Sequence, residues 1–477
     1  MRARFSHIAI AAAYTITATL LLLATAPARG EDESDSNPTP TRPAVLFNRW
    51  QEDWSVLADP NVPKEPYDAL KYIPLSPDDP KTYLSFGADV RERFETNDAA
   101  GFGTGPNRSA NYVISRTELH ADLRVASQLQ IFTQLQSDFA PWKSMLTPVD
   151  RDRLDLEQAF AVLVEPLEGG ILKLRLGRQQ FAFDLQRFVA VRDGPNIRQS
   201  YDAAWADYEN GHWRFITFYS QPVQNRDLRA FDDYSNGHLT FSGVRLERKF
   251  TKSIGLTTYY GRFKQDGAHF PSAHGNERRD IFDLRFTGTA DQFDWDLEAM
   301  GQTGHLADQA VRAWAVGSLA GWTAADILWT PRFGIQIDAA SGDNNPHDHV
   351  LGTFNPLFPN GYYVTLAGYT GYVNFIHVKP SVTLHLIQSL KLLLAAGLQW
   401  RETTGDAIYT QPDIPVPNTA GHPGLYTGTY GQIRLDWAID SQASFAIEAV
   451  HFAVGDAIQR AGGHDSDYAG IEIKYGW

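Results

Sequence analysis

Apolar and polar residues alternate with a period of two along most of the chain. In GQIRLDWAI, Ile433, Leu435 and Trp437 share one side, while Gln432, Arg434 and Asp436 share the other. IFDLRFTG sets Phe282, Leu284 and Phe286 against Asp283 and Arg285, and ILKLRLGRQ sets Leu172, Leu174 and Leu176 against Lys173, Arg175 and Gln179. The run VISRTELHADLRV is longer, with Leu119, Ala121, Leu123 and Val125 opposite Arg116, Glu118, His120, Asp122 and Arg124. The tail DYAGIEIKYGW repeats the pattern: Ala469, Ile471, Ile473, Tyr475 and Trp477 lie on one face, Gly470, Glu472, Lys474 and Gly476 on the other. Such a period marks strands lying between an apolar and a wet phase.

The pattern predicts roughly 18 strands, the first at about 83–95 and the last at about 467–477. They exceed the ~5–6 residues usual in globular sheets. Strands at about 254–264, 278–290 and 327–340 are typical of the set. Tight turns (ENGH, FTKS, TADQ, IQS, DSQ) separate one set of neighbours, and long loops (96–109, 182–201, 341–373, 403–426) separate the other. No amphipathic helices are available to cover the apolar faces, which a soluble sheet requires. The fold expected is all-β: a monomeric, transmembrane, antiparallel up-and-down β-barrel with short periplasmic turns and long extracellular loops. A barrel of this size leaves an aqueous channel instead of a packed interior.

The N-terminus supplies an address. MRARFSHIAIAAAYTITATLLLLATAPARG has a basic start, a short apolar run and an A-x-A site, so 1–28 reads as a secretory signal peptide. Residues 29–82, which open on the acidic EDESDSNPTPTRP, form a periplasmic N-terminal arm, and 83–477 form the barrel. No second apolar run is long enough for a membrane helix. Aromatics reach 12% with 38 Gly, and there is no Cys. This composition suits a wall in which only alternate residues meet lipid. The net charge of −14 argues against a nucleic-acid partner. The expected location is the outer membrane of a Gram-negative bacterium. Its partners there are membrane lipid and the barrel assembly machinery, which reads an aromatic-terminated last strand.

No nucleophile elbow or HExxH motif is present, so no enzyme and no cofactor are expected. His377, Ser381 and His385 share a strand without a readable catalytic geometry. His347 and His349, in NNPHDHV, read as solvated loop residues, and no metal site is assigned.

The ordered segments RWQEDWSVLADP, LKYIPL, YLSFGADVRERFE, LRLGRQQF, RDGPNIRQSYD, GTFNPLFPNGYY, NFIHVKPSVTLHLIQSLKL and AVHFAVGDAIQRAGGHDSDYAGIEIKYGW together resemble the alginate export family of outer-membrane barrels. The resemblance covers nearly all of the chain beyond the signal peptide. It implies an 18-stranded barrel passing an anionic uronate polymer through a basic pore, with periplasmic export partners. The alternative is a general porin for small organic acids or sugars.

The polar faces of the strands place Arg91, Arg93, Arg116, Arg124, Lys173, Arg175, Arg285 and Arg434 toward the lumen. In RDGPNIRQSYD, Asp193, Gly194 and Pro195 signal a turn flanked by Arg192 and Arg198, with Arg187 upstream. This loop is the expected constriction, and these basic residues are the candidate substrate-binding set. Fixed guanidinium groups favour carboxylates and repel cations. The competing expectation is that the charges pair with lumenal acids and simply hold the wall. The aromatics of TFNPLFPNGYY are expected to fold inward or to pack on the rim.

Overall fold

The computed structural model describes residues 42–105 and 110–477. The expected signal peptide at 1–28 lies outside the described residues, as does the start of the arm. Twenty-one strands join in one sheet, three of them two-residue pieces. The others are β1 (Tyr83–Asn97), β2 (Ala110–Val125), β3 (Leu129–Phe139), β4 (Asp152–Leu167), β5 (Gly170–Gln179) and β6 (Tyr201–Asn210). They continue as β7 (Trp213–Gln224), β8 (Leu239–Lys249), β9 (Ile254–His269), β10 (His274–Ala290), β11 (Phe293–Leu306) and β12 (Gln309–Thr323). The last six are β13 (Arg332–Ala340), β14 (Phe375–Ile387), β15 (Leu390–Trp400), β16 (Tyr426–Ala438), β17 (Ala443–Val454) and β18 (Ser466–Gly476). Each is antiparallel to the next. β18 returns to pair with β1 from Asn97↔Tyr468 to Asp89↔Gly476, so the sheet closes and no edge remains. No helix among the described residues is long and apolar enough to cross a membrane.

The two faces of the wall separate as the alternation requires. Ile433, Ile447, Ile471 and Ile473 are 42–49% exposed on the outside of β16, β17 and β18, with Ile447 directly opposite Ile471. A soluble domain rarely exposes a continuous apolar belt of this kind, whereas lipid requires one. Trp213, Phe293, Trp322, Phe333, Trp437 and Tyr475 are exposed beside the tight turns and form a girdle at that end. Trp477 continues the closing ladder, exchanging backbone hydrogen bonds with Ala88.

The connections at one end are short, the longest being 324–331, and those at the other include 180–200, 341–374 and 401–425. Two connections on the long-loop side, 270–273 and 307–308, are also tight. There the length sits in the strands themselves, which run well past the lipid belt.

The inner face of a single strand changes character along its length. On β8, Leu239 and Phe241 face inward near the long loops, while Arg245, Glu247 and Lys249 occupy the same face near the tight turns. The expectation of an aqueous interior throughout is therefore corrected. Along β6–β14 the half toward the long loops carries a packed apolar core, while the half toward the tight turns is charged and wet. The core includes Phe218, Phe241, Phe263, Ile281, Met300 and Phe375 from the wall.

The arm also differs from a simple periplasmic extension. Trp50 packs edge-on against the inward ring of Phe160 on β4, at 5.8 Å. Arg124 of β2 donates to the carbonyls of Trp50 and Glu52 at 2.9 and 2.7 Å. Tyr67 stacks on Trp477 at 4.8 Å. The segment around Trp50 thus enters the tight-turn mouth and lies on the inner wall of β2–β5.

Candidate functional site: two loops across the lumen

The loop 180–200 spans the lumen because charged groups on opposite walls hold it. Asp184 accepts from Arg245 of β8 at 2.7 and 2.8 Å and from Arg285 of β10 at 2.8 Å. Arg187 is fully buried and donates to Asp296 and Glu298 of β11, both at 2.6 Å. Gly317 of β12 leaves the space for it: a Cβ there would lie 2.6 Å from the Arg187 Nε.

On the opposite wall, the Asp193–Pro195 turn is clamped by β1 and β2. Arg91 donates to the Asp193 carbonyl at 2.7 Å. Arg116 reaches the Asp193 carboxylate at 2.6 Å, the Pro195 carbonyl at 2.8 Å and the Asn196 carbonyl at 2.6 Å. Arg198 bridges Asp193 at 2.8 Å and Glu118 at 2.6 Å. Burial alone raises the Asp193 carboxyl, but Arg198, Arg116, Lys474 and Arg91 outweigh it and hold the group well below the ordinary range.

The loop 341–374 folds inward onto this crossing. Phe358 exchanges backbone hydrogen bonds with Phe188 and Ala190, both at 2.9 Å, forming a short parallel bridge inside the barrel. Phe188, Val189, Phe354, Phe358 and Tyr372 are buried together against the wall aromatics. Tyr363 donates to Asp338 at 3.0 Å and Tyr372 to the Val316 carbonyl at 2.7 Å, so the polar ends of these rings are satisfied.

Above them the loop 401–425 closes a cavity of about 820 Å³ whose lining includes Phe263, Phe270, Phe358, Asp413 and His422. Burial pushes the Asp413 carboxyl up to about 7, with Arg192 pulling it down, and its Oδ1 has no hydrogen-bond partner among the described residues.

The structure gathers the expected basic residues on the inner wall and in the crossing loop, but few of them are free. Arg93 lies among Glu95, Glu448 and Glu472. Arg91 also bonds Glu472, Arg124 bonds Asp122, and Lys173 bonds Glu209. Arg285 bonds Asp296 as well as Asp184, and Arg434 bonds Asp436 and Glu448. The reason is register: inward positions on neighbouring strands place opposite charges side by side, and a low-dielectric wall tolerates charge only in pairs. Arg175 is held differently, with its guanidinium 4.7 Å from the Trp50 ring and 5.4 Å from both Phe160 and Trp205. Arg192 is half-buried at a left-handed turn (φ 58°) and touches no carboxylate among the described residues.

His377 is buried between Asp338 and Tyr430, at 3.0 and 2.9 Å, as a structural histidine. His347 and His349 are exposed. The docking of the arm and the part of Asp413 are not foreseen by the sequence pattern. Trp50 in RWQEDW is visible as an aromatic in a polar arm, but nothing local names its partner.

A family model described as alginate export matches residues 82–472. No curated protein matches significantly. Among solved structures, the chain is similar to Pseudomonas aeruginosa OccK8 (OprE), with 10% identity, 83% of this chain and 98% of that chain covered, and a TM-score of 0.55. It is also similar to Acinetobacter baumannii OccAB4, with 11% identity, coverage of 84% and 100%, and a TM-score of 0.55. A third similar structure is Pseudomonas aeruginosa OpdK with vanillate, with 9% identity, coverage of 83% and 98%, and a TM-score of 0.55. At such identities the likeness concerns the fold.

Proposed function

The chain belongs to the alginate export family and folds as an outer-membrane channel, and we propose that it passes a carboxylate-bearing solute, of which an alginate-like polyuronate is the kind the family implies. On this reading residues 1–28 are removed on export and the barrel stands in the outer membrane of a Gram-negative bacterium.

The observation that carries the proposal is Arg192. Apart from Arg175, the other candidate guanidinium groups each pair with a wall or loop carboxylate, whereas Arg192 sits on the crossing loop with, among the described residues, only the protonatable Asp413 to answer it. A passing carboxylate supplies the two-oxygen partner that a planar guanidinium fits. Reversal potentials in a salt gradient across a planar bilayer test this. Anion preference is expected, and Arg192→Glu should shift it toward cations more than Lys252→Glu in the exposed turn 250–253. Cation preference in the wild type overturns the proposal.

A second reading, a porin for small organic acids, draws on the packing of the lumenal loops. A polymer needs both loops expelled from their apolar seat, while a small acid needs only the cavity of about 820 Å³ and a path beside Arg192. The similar OpdK barrel was solved with vanillate, a small aromatic carboxylate. Current block by oligouronates separates the two. Block that strengthens from dimer to hexamer supports the polymer path, and equal block by monomers supports the small-acid channel.

A further inference from the structure

Where β3 meets β4, the ladder has two irregularities, between Gln134 and Leu135 and between Gln136 and Asp138. They bring a concentration of acid to the inner wall near the long-loop end. Asp138 and Asp152 are direct cross-strand partners. Asp138, Asp152 and Asp155 are 0%, 1% and 2% exposed. Carboxylate oxygens of Asp152, Asp155 and Asp233, the last from loop 225–238, all lie within 4.8 Å of one another. Like charges placed directly opposite on a sheet destabilise it, and buried charge is ordinarily paired or metal-bound.

The nearby cations are largely committed elsewhere. Arg151 and Arg153 both bond Asp227. Arg178 approaches Asp155 only to 3.7 Å, while its fork bonds Asp202 at 3.1 and 3.3 Å. A separate observation points to a ligand. Both oxygens of Asp138 and Oδ1 of Asp152 are buried without any hydrogen-bond partner among the described residues. Asp138 lies directly opposite Asp152 on one side and Arg116 on the other, and the Arg116 guanidinium is committed to Asp193 and to the Pro195 and Asn196 carbonyls. The other acids are held in place by backbone. Asp155 accepts from the amides of Leu156, Asp232 and Asp233 at 2.6, 2.8 and 3.0 Å, and Asp233 accepts from the Arg226 amide at 2.6 Å.

We propose that Asp152, Asp155 and Asp233 bind a divalent cation, with Asp138 adding charge from the facing strand. The donors are all carboxylate oxygens from two separate elements, which suits a hard ion with flexible coordination, calcium above magnesium. The ion ties loop 225–238 to β4. It also stiffens the seat of the crossing loop, because Asn196 donates to the Phe139 and Asp150 carbonyls, at 2.9 and 3.0 Å, next in sequence or nearly so to Asp138 and Asp152. The site is independent of the channel's cargo.

The test uses the full mature chain, folded in detergent, stripped with chelator and titrated with calcium chloride by calorimetry and by thermal unfolding. One saturable calcium per chain is expected, with a dissociation constant on the order of 10⁻⁴–10⁻³ M or tighter and a higher unfolding temperature. Asp152→Asn and Asp233→Asn should each weaken binding at least about tenfold and remove the calcium-dependent shift, while Asp227→Asn, in the same loop but paired with arginines, retains both. Without calcium, Asp152→Asn should melt no lower than wild type, because it removes a buried charge that no cation pairs among the described residues, while a side-chain oxygen remains for Gln136; this shows that lost binding is not lost folding. Absence of saturable binding in the wild type, or binding that persists unchanged in both Asp152→Asn and Asp233→Asn, overturns the proposal. So does a shift reproduced by sodium chloride at equal ionic strength.

Discussion

Asp413 and Arg192 make selectivity depend on pH. Burial holds the Asp413 carboxyl at about 7, so it is neutral below that value and leaves Arg192 uncompensated. Above about 7 it ionises and offsets the guanidinium. Anion preference should therefore be greatest on the acid side and fall as pH rises through about 7, and Asp413→Asn should keep the acid-side value across the range. Reversal potentials recorded at several pH values check this; an unchanged slope in Asp413→Asn rejects the assignment. Asp193 plays the opposite part, since it neutralises Arg116 and Arg198 at once. Asp193→Ala leaves two guanidinium groups short of a partner against the wall. The loss is on the order of 3–5 kcal/mol for the docked loop, read as a lower unfolding temperature and a noisier open channel. Asp193 was legible in the sequence as a turn residue. Its carboxylate's role as the hub of a charge cluster was not, because every partner but Arg198 comes from a strand far away in sequence.

The strands were legible wherever one side meets lipid, because lipid enforces a period of two. Their ends were legible only where that enforcement stops. β9 and β10 extend to His269 and from His274, past the expected limits at 264 and 278. FKQDGAH and HGNER stand clear of the lipid belt, where nothing imposes alternation. The expected strand at 327–340 starts later, at Arg332, because Ile327, Leu328 and Trp329 lie in the turn 324–331. Apolar residues in a turn at the membrane boundary find a favourable interface, so they imitate a strand. The inward loops form the element whose energetics matter most for passage. Phe358→Ala removes the ring at the centre of the lumenal core and should cost about 3–5 kcal/mol of loop docking. Gly317→Val should act in the same direction by displacing Arg187 from Asp296 and Glu298. Both variants are expected to raise single-channel conductance. A barrel with unchanged conductance after both changes would mean that the loops do not limit flow.

At the scale of the whole molecule the lumen is entered from its two ends by different parts of the chain. The loops fill the half near the long connections, and the arm lies along the wall of the other half, reaching the crossing loop where Phe47 sits 4.5 Å from the Arg198 guanidinium. Trp50→Ala should uncover Arg175, whose charge is otherwise screened by Trp50, Phe160 and Trp205. The expected outcome is higher conductance with stronger anion preference, and bilayer recordings of this variant beside wild type measure both. Lys71 of the arm lies 4.8 Å from the Trp54 ring and 5.7 Å from the Trp477 ring, and gives the docked arm its own proton sensitivity. Burial, with the Arg49 charge beside it, lowers the Lys71 ammonium to about 8. The docked arm therefore binds that proton less well than the free arm. Docking is weaker below about 8 and strengthens as pH rises from there toward the ordinary lysine value, so the conductance gap between wild type and Trp50→Ala should widen over that interval.

By itself the sequence determined the closed antiparallel wall, its strand number, the apolar belt and the end that carries the long loops. Each follows from a pattern repeated locally, strand after strand, under the uniform demand of lipid on one side. It also marked 182–201 as the expected constriction, because Asp193, Gly194 and Pro195 signal a turn flanked by arginines; that Arg91 and Arg116 of the wall clamp this turn was not legible in it. Only the tertiary structure decided that the interior is half core and half vestibule, that most lumenal arginines are neutralised, and that the arm docks inside the mouth. Those outcomes rest on contacts between residues far apart in the chain: Arg187 with Glu298, Asp193 with Arg116, Phe188 with Phe358, Trp50 with Phe160. Alternation shows only that a residue faces inward; what it meets there is fixed when the sheet closes and the loops fold into it.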